Sequence, residues 1–299
     1  MMKKEKLILL IIILALGGIS IGIYKKIFVR QRVNNNSGRP FTITHIRIKK
    51  GGKPGFNCDY TSITAALLAI DDNSSTHRYE LDLANGVYNA EAGQGYRGLE
   101  LKNFVDIVGQ NRDSIVIAGI YAPAGLEKEF STINRVANCT VKNVSIYASR
   151  NEYCVRADQP SPYDYIFTLE NCTLDNRDPN NRFELGIGMN NAQKVIIKNC
   201  IFRRVGINVY NARKRSDSSR LEIIDCKLNT LHYTDDPQGN YGTFLLSGNT
   251  IKTLLLDSKM PANKTEQPAV TIINENNKID SIAYLNNYPV GSGRKVFDR

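Results

Sequence analysis

A short pattern of apolar and polar positions returns six times along this chain. Each copy has apolar or thiol residues four and two positions before an Asn-like residue, and again one and three positions after it. Of the 24 flanking positions, only Asp106 and Asn249 depart from this rule. The reference positions, 40, 28, 28, 26 and 23 residues apart, are Asn103, Asn143, Asn171, Asn199, Asp225 and Gly248. A repeat of this length indicates one supersecondary unit per copy, stacked on its neighbours.

The apolar positions alternate with period two up to each reference position, which predicts strands rather than helices. A coil of this length has room for two or three short strands, and its apolar face is buried only when coils stack in parallel. We therefore predict an all-β chain, a single-stranded right-handed parallel β-helix (a solenoid) with coils over about residues 95–290. Asn suits the corners because it tolerates left-handed backbone angles. One buried ladder is expected to contain Leu101, Val141, Leu169, Ile197, Ile223 and Leu246.

Residues 42–90 are predicted to form an N-terminal cap of the solenoid, so that the β-helix domain spans residues 42–299. Thr42 to Lys49 alternates like a strand, and Tyr79 to Leu83 is a second predicted strand. Between them, Ser62 to Ile70 combines a helix-capping residue with good helix formers and predicts a cap helix. Such a helix would shield the open end of the stack.

The N-terminus predicts a membrane anchor. Leu7 to Tyr24 is an apolar run of 18 residues, just long enough for a transmembrane helix. Residues 1–6 form a basic flank and residues 25–41 a basic polar linker. A cleaved signal peptide is the alternative, but the apolar run continues past its weak exit site at Gly18–Ser20. An anchored β-helix is expected outside the cytoplasm, in a periplasm or on a cell surface.

The net charge of +10 belongs to this flank. Residues 1–50 carry 11 of the 39 Lys and Arg residues and one of the 29 acids, which leaves 28 of each in residues 51–299. The predicted solenoid is therefore neutral, which argues against a nucleic-acid partner.

The six cysteines are predicted to be free. Four of them, Cys139, Cys172, Cys200 and Cys226, occupy inward positions of the repeat, where a thiol acts as a small apolar group. Side chains stacked in parallel have poor geometry for disulfides, although a bridge between Cys139 and Cys154 stays possible. No pair of cysteines has metal-ligand spacing and the three histidines are scattered, so no metal site is predicted.

The chain resembles the pectin methylesterases and their pectate-lyase-fold relatives over about residues 43–230. The segment that carries the resemblance runs through SITAALLAI and the GVY turn to LELKNFVDIVG, and continues with VKNVSIYASRNEYCVRA and KNCIFRRVGINVYNA. The resemblance implies a parallel β-helix with a cap helix, and a polysaccharide as the partner.

The esterase residues of that family are missing here. Gly206 stands where the family has its nucleophilic Asp, and Glu184 lacks the Gln that precedes the family's acid. The family's Arg-x-Trp motif is absent because the chain has no Trp, and Ala90 replaces a Glu. Without a nucleophile and its oxyanion support, the family's ester hydrolysis is not expected.

Other chemistry on this fold would use carboxylates. The loop 175–184 combines three of them with two arginines, which makes Asp175, Asp178 and Glu184 the candidate catalytic residues. The candidate substrate-binding residues are Arg177, Arg182, Tyr233, Asp235, Asp236 and Tyr241. No cofactor is predicted, with calcium as an option only if the chain is a lyase. A solvated surface loop is the alternative interpretation of these residues, and of the basic stretch Arg203–Arg215.

Three functions stay open. The first is a membrane-anchored protein of the cell envelope that binds polysaccharide without catalysis. The second is a polysaccharide lyase or glycoside hydrolase that uses the carboxylates of loop 175–184. The third is a structural β-helix module of a surface or phage assembly. Convergence of the loop carboxylates would favour the enzyme, and their dispersal would favour binding.

Overall fold

A computed structural model describes residues 32–34, 41–90, 97–157, 165–178, 185–189, 194–211, 220–235, 242–258 and 270–285. In this part of the chain almost all regular structure is β-strand, in two long sheets that are parallel except at one edge. The exceptions are one seven-residue helix, α1 (Ile63–Ala69), and a single 3₁₀ turn at Glu127–Glu129. The predicted all-β class is confirmed.

The first sheet contributes one strand to each coil. Numbered along the chain, its strands are β1 (Arg32–Asn34), β2 (Phe41–Ile48), β3 (His77–Leu83), β6 (Val105–Gly109), β9 (Cys139–Lys142), β12 (Ile166–Glu170), β15 (Lys194–Lys198), β18 (Arg220–Ile224), β20 (Gly242–Ser247) and β22 (Val270–Glu275). Neighbours from β2 to β22 are parallel, whereas β1 pairs antiparallel with β2. We call the outer side of this sheet the first face.

The second sheet turns a corner and supplies the other two faces. The second face holds β4 (Gly86–Asn89), β7 (Ile115–Ala118), β10 (Ser145–Ala148), β13 (Thr173–Asn176) and β16 (Ile201–Phe202). The third face holds β5 (Leu99–Glu100), β8 (Ser131–Arg135), β11 (Tyr153–Ala157), β14 (Leu185–Met189) and β17 (Gly206–Asn211). The last strands, β19 (Lys227–Asp235), β21 (Thr250–Ser258) and β23 (Lys278–Tyr284), complete the sheet. Since β19 pairs with both β16 and β17, it runs around the corner.

The repeat places one apolar side chain per coil at the same depth of the core. Five of the six predicted members stack in register, and each is fully buried: Val141, Leu169, Ile197, Ile223 and Leu246. Leu101 does not belong to this ladder, because Ile107 is the residue paired with Val141. The stretch 99–109 contains the alternating pattern twice, and the copy at Leu99 pairs with Ile133 of the third face instead.

The predicted corner is confirmed in the later coils but not at Asn103, where the next residue, Phe104, has the left-handed backbone (φ 60°). Asn143, Asn171, Asn199 and Asp225 have φ between 50° and 58°, the left-handed region. The Nδ2 of Asn171 donates to Oδ1 of Asn143 at 2.8 Å, and the Nδ2 of Asn199 donates to Oδ1 of Asn171 at 3.2 Å. These side chains therefore connect consecutive coils along one edge of the solenoid.

All six cysteines are free and buried, as predicted, and no bridge joins Cys139 to Cys154. Three of them, Cys172, Cys200 and Cys226, occupy equivalent positions in successive coils, and their thiols donate to backbone carbonyls. Burial raises the pKa of the Cys154 thiol to about 12, and it also raises the pKa of Cys200. The thiol hydrogen bond with Cys200, followed by burial, raises the pKa of Cys226.

The N-terminal cap is part of the solenoid. The helix α1 begins after Ser62, whose Oγ accepts a hydrogen bond from the amide of Ala65 at 3.0 Å, and its buried side chains join the core. However, β2 and β3 already extend the parallel sheet, so the coils begin at β2 rather than near residue 95. The predicted linker also contains β1, which pairs with the otherwise open edge of β2.

No helix among the described residues is long and apolar enough to cross a membrane. The predicted anchor, Leu7 to Tyr24, lies outside the described residues.

Candidate functional site

Two of the residues predicted from loop 175–184, Asp175 and Arg177, lie on the second face at the end of β13. Asp175 lies beside Tyr147 of β10 in the parallel register. Its side chain is only 3% exposed, whereas those of Arg177 and Arg204 are 56% and 61% exposed. The two arginines therefore lie over a buried carboxylate, and Arg177 also lies beside a tyrosine ring. We call Tyr147, Asp175, Arg177 and Arg204 the arginine patch.

Asp175 holds Arg204 in a bidentate ion pair. The Nε and Nη2 of Arg204 donate to Oδ1 and Oδ2 of Asp175, each at 2.9 Å. This side-on geometry fixes the plane of the guanidinium group. The hydrogen bond to Asp175 raises the pKa of Arg204. A guanidinium group has five N–H donors. Among the described residues, Asp175 accepts from two of the donors of Arg204, and the other three remain for a ligand.

Arg177 is held from two sides. Its Nε lies 3.8 Å from Oδ2 of Asp175, and its Nη2 donates to the hydroxyl of Tyr147 at 2.6 Å. The guanidinium carbon lies 3.9 Å from the centroid of the Tyr147 ring, which adds a cation–π interaction. The patch carries two positive charges against one negative charge, so its net charge is positive.

The structure describes two of the three loop carboxylates, Asp175 and Asp178. Both oxygens of Asp175 accept from Arg204, so this carboxylate is an anchor for a guanidinium group. The neighbouring Asp178 is buried, and its amide donates to Oδ1 of Asn176 at 3.1 Å. The remaining candidates of this loop, Arg182 and Glu184, lie outside the described residues.

Of the second group of predicted residues, the structure describes Tyr233 in full and only the backbone of Asp235. Tyr233 is 1% exposed and stacks on Phe244 in the core, with ring centroids 5.5 Å apart, so it cannot stack on a sugar at the surface. The sequence predicts Tyr233 as a substrate-binding residue, but the alternation of buried residues in β19 changes phase between Leu228 and Leu231, and this turns Tyr233 inward. The backbone of Asp235 ends β19, paired with Asn211 and Ser258. Its side chain, Asp236 and Tyr241 lie outside the described residues.

Sequence reasoning missed Tyr147 as a functional residue and treated Arg204 only as part of a basic stretch. The signal for Tyr147 was present, because it precedes Asp175 by 28 residues, which is the spacing of the repeat at that point. In a parallel solenoid, residues one repeat apart lie side by side at about 4.8 Å. The repeat spacing therefore identifies neighbours in space as well as strands.

No protein-family model matches the chain, and no curated protein matches it. Among solved structures, pectin methylesterase from carrot is similar with 10% sequence identity and a TM-score of 0.39, over 81% of this chain and 88% of that one. The strand pairing itself establishes the long parallel sheets of a β-helix.

Proposed function

We propose that this chain is a membrane-anchored β-helix protein of the cell envelope that binds an acidic polysaccharide without esterase activity. The observation that carries the proposal is the arginine patch, in which a buried carboxylate positions two exposed guanidinium groups on a long face. Guanidinium groups bind carboxylates and sulfates through paired N–H donors. The uronate or sulfate groups of an extended glycan would present such anions along the face.

The proposed absence of esterase activity is supported by the surroundings of Gly206. A Cβ at this position would lie 2.7 Å from the backbone oxygen of Thr230 in the next coil. Backbone cannot move aside as a flexible side chain can, so the nucleophilic Asp expected from the resemblance has no room here. The fold around β17 is therefore built for glycine, and direct attack on an ester by an Asp carboxylate has no starting point at this position.

The test is binding of the purified full chain, in a mild detergent, to polygalacturonate and to neutral dextran by titration calorimetry. Arg204→Ala should weaken binding to polygalacturonate about tenfold or more, because a hydrogen bond to a charged group contributes roughly 1.5–3 kcal/mol. Arg220→Ala is the matched control, because Arg220 is also an exposed, acid-paired arginine but lies on the first face, beside Glu222.

Equal losses in the two variants would mean that binding follows net charge alone, and the arginine patch would not be the site. Equal binding of dextran and polygalacturonate would contradict an acidic ligand. Release of methanol from methylated pectin would overturn the absence of esterase activity. Release of reducing or unsaturated ends, abolished by Asp178→Asn or Glu184→Gln, would replace the binding function with the enzymatic one.

The anchor is tested separately. The proposal expects the chain to stay with membranes in high salt and at alkaline pH, and to be released when residues 1–31 are removed. Recovery of the intact chain in the soluble fraction would contradict an anchor formed by Leu7 to Tyr24.

A further inference from the structure

A second cluster of functional side chains lies on the first face, away from the arginine patch. His45 of β2 and Glu80 and Asp82 of β3 each direct one possible ligand atom into the same space, and these atoms all lie within 4.8 Å of one another. The Nδ1 of His45 is 3.0 Å from Oδ2 of Asp82 and 3.7 Å from Oε1 of Glu80. All three side chains are partly exposed.

The sheet itself brings these residues together. His45 pairs directly with Glu80 in the parallel register of β2 and β3, and Asp82 follows two residues after Glu80, on the same side of the strand. Leu81 and Leu83 alternate with them and are buried in the core. Because both strands continue into the ten-stranded sheet, the positions of all three Cα atoms are fixed by backbone hydrogen bonds before any ligand arrives.

The distances fit one small divalent ion. Zinc lies about 2.0–2.2 Å from imidazole nitrogen and carboxylate oxygen, so two ligands of one ion are roughly 3.0–3.5 Å apart at tetrahedral or octahedral angles. The two separations from Nδ1 of His45, 3.0 and 3.7 Å, lie close to this range, and all three ligand atoms lie within 4.8 Å of one another. An imidazole ligand favours zinc and its neighbours in the transition series over calcium and magnesium, which prefer oxygen.

We propose that His45, Glu80 and Asp82 bind a divalent transition-metal ion of the zinc class. Three protein ligands leave further coordination positions to water or to a ligand from outside. The site joins β2 to β3, so a bound ion connects the first coil of the solenoid to the second. The spacing of the sequence predicts no metal site, because the ligands are 35 and 37 residues apart and only the stacking of the coils brings them together.

Neighbouring charges on the first face are compatible with this ion. Asp106 is paired with Arg78 at 3.1 Å and accepts from the amide of Thr140, so it is engaged elsewhere. Arg47 is paired with Asp59 at 3.5 Å. The positive charge of Lys142 acts on Glu80 and is the cation with which the metal competes. This proposal does not depend on the glycan-binding function.

The experiment is titration of the full chain, first treated with a chelator, with Co²⁺ and then with Zn²⁺. Cobalt is added first because its visible absorption spectrum changes when protein ligands replace water around the ion. Zinc, added afterwards, should displace the bound cobalt. We expect one ion per chain. Loss of a second-shell group already costs 10–100-fold in metal affinity, so His45→Gln or Asp82→Asn should lower affinity by at least about tenfold.

His232→Gln is the matched control. His232 also faces a carboxylate, with its Nε2 3.6 Å from Oδ2 of Asp257, but it is not part of a three-ligand cluster among the described residues. This variant should bind cobalt as the wild type does. Circular dichroism without metal should be the same for all variants, which separates loss of a ligand from loss of the fold.

Two results would overturn the proposal. The first is absence of stoichiometric cobalt and zinc binding at micromolar concentrations. The second is binding that His45→Gln and Asp82→Asn leave unchanged, which would place the ion elsewhere on the chain. A response to calcium but not to cobalt would also refute the assigned class of metal.

Discussion

The buried thiol of Cys154 should make the stability of this protein depend on alkaline pH. Burial raises its pKa from an ordinary 9.0 to about 12. The fold therefore favours the neutral thiol, while the unfolded chain releases its proton near pH 9. The stability contributed by this group is fully present below pH 9 and is lost as the pH rises from 9 towards 12.

The size of this loss of stability follows from the pH interval between the two pKa values of the thiol. Each pH unit within it costs about 1.4 kcal/mol of unfolding free energy per thiol. Between pH 8 and pH 10.5 the unfolding free energy lost through Cys154 alone comes to roughly 2 kcal/mol. The interval from pH 8 to pH 9 contributes little, because the thiol of the unfolded chain is still mostly protonated there. Cys200 and Cys226, whose pKa values are also raised, should steepen the decline further.

The assay is urea unfolding of the full chain, with a reducing agent present, at several pH values from 8 to 10.5. Cys154→Ala should lower stability at pH 8 but then lose about 2 kcal/mol less than the wild type as the pH rises. Val155→Ala is the control, because Val155 is buried on the same strand and does not titrate. It should shift the whole curve without changing its slope.

Parallel pH curves for the wild type and Cys154→Ala would refute the reasoning. Tyrosine and lysine side chains also titrate in this range, but they are common to both proteins and cancel in the difference. A slope that does not change on removal of the thiol would show that its proton is equally well held in the folded and unfolded chains.

Three further predictions use the same unfolding assay. Ile197→Ala, in the middle of the buried ladder, should cost about 2–5 kcal/mol, and Ile224→Ala on the outer side should cost clearly less; equal costs would contradict the ladder. At Asn171, whose φ is 50°, replacement by Ala should cost about 1–2 kcal/mol more than replacement by Gly, and the reverse order would contradict a left-handed corner. Gly206→Asp should destabilise the chain by about 1–3 kcal/mol, because its side chain would collide with Thr230. The variant should release no methanol from pectin. A stable variant with this activity would contradict the prediction.

The sequence predicted the ladder because alternation and repeat spacing report the same physical requirement, burial of one face in every coil. It placed Leu101 wrongly because residues 99–109 contain two alternating stretches, and only backbone pairing selects Ile107 as the neighbour of Val141. The inward turn of Tyr233 depended on a shift of phase inside β19, which local pattern does not show.

Only the part of the candidate site that lies within one loop could be predicted from the sequence. Asp175 and Arg177 stood out as charges within one loop, but their partners Tyr147 and Arg204 lie in neighbouring coils. Contacts between coils depend on register, which is set by the length of each loop. The cluster of His45, Glu80 and Asp82 was missed for the same reason, because these residues are close only after β2 and β3 have paired.

The corner of asparagines has a consequence for how such a chain can change its length. Cys139 pairs with Phe167, and Phe167 pairs with Val195, each 28 residues on. Deletion of residues 167–194 would bring Cys139 against Val195 in the register that Phe167 now occupies. On the first face, the amide of Asn199 would then meet that of Asn143. On this face, strands can therefore be gained or lost as whole repeats without a change of register, and each repeat changes the length of the solenoid by one strand spacing of about 4.8 Å.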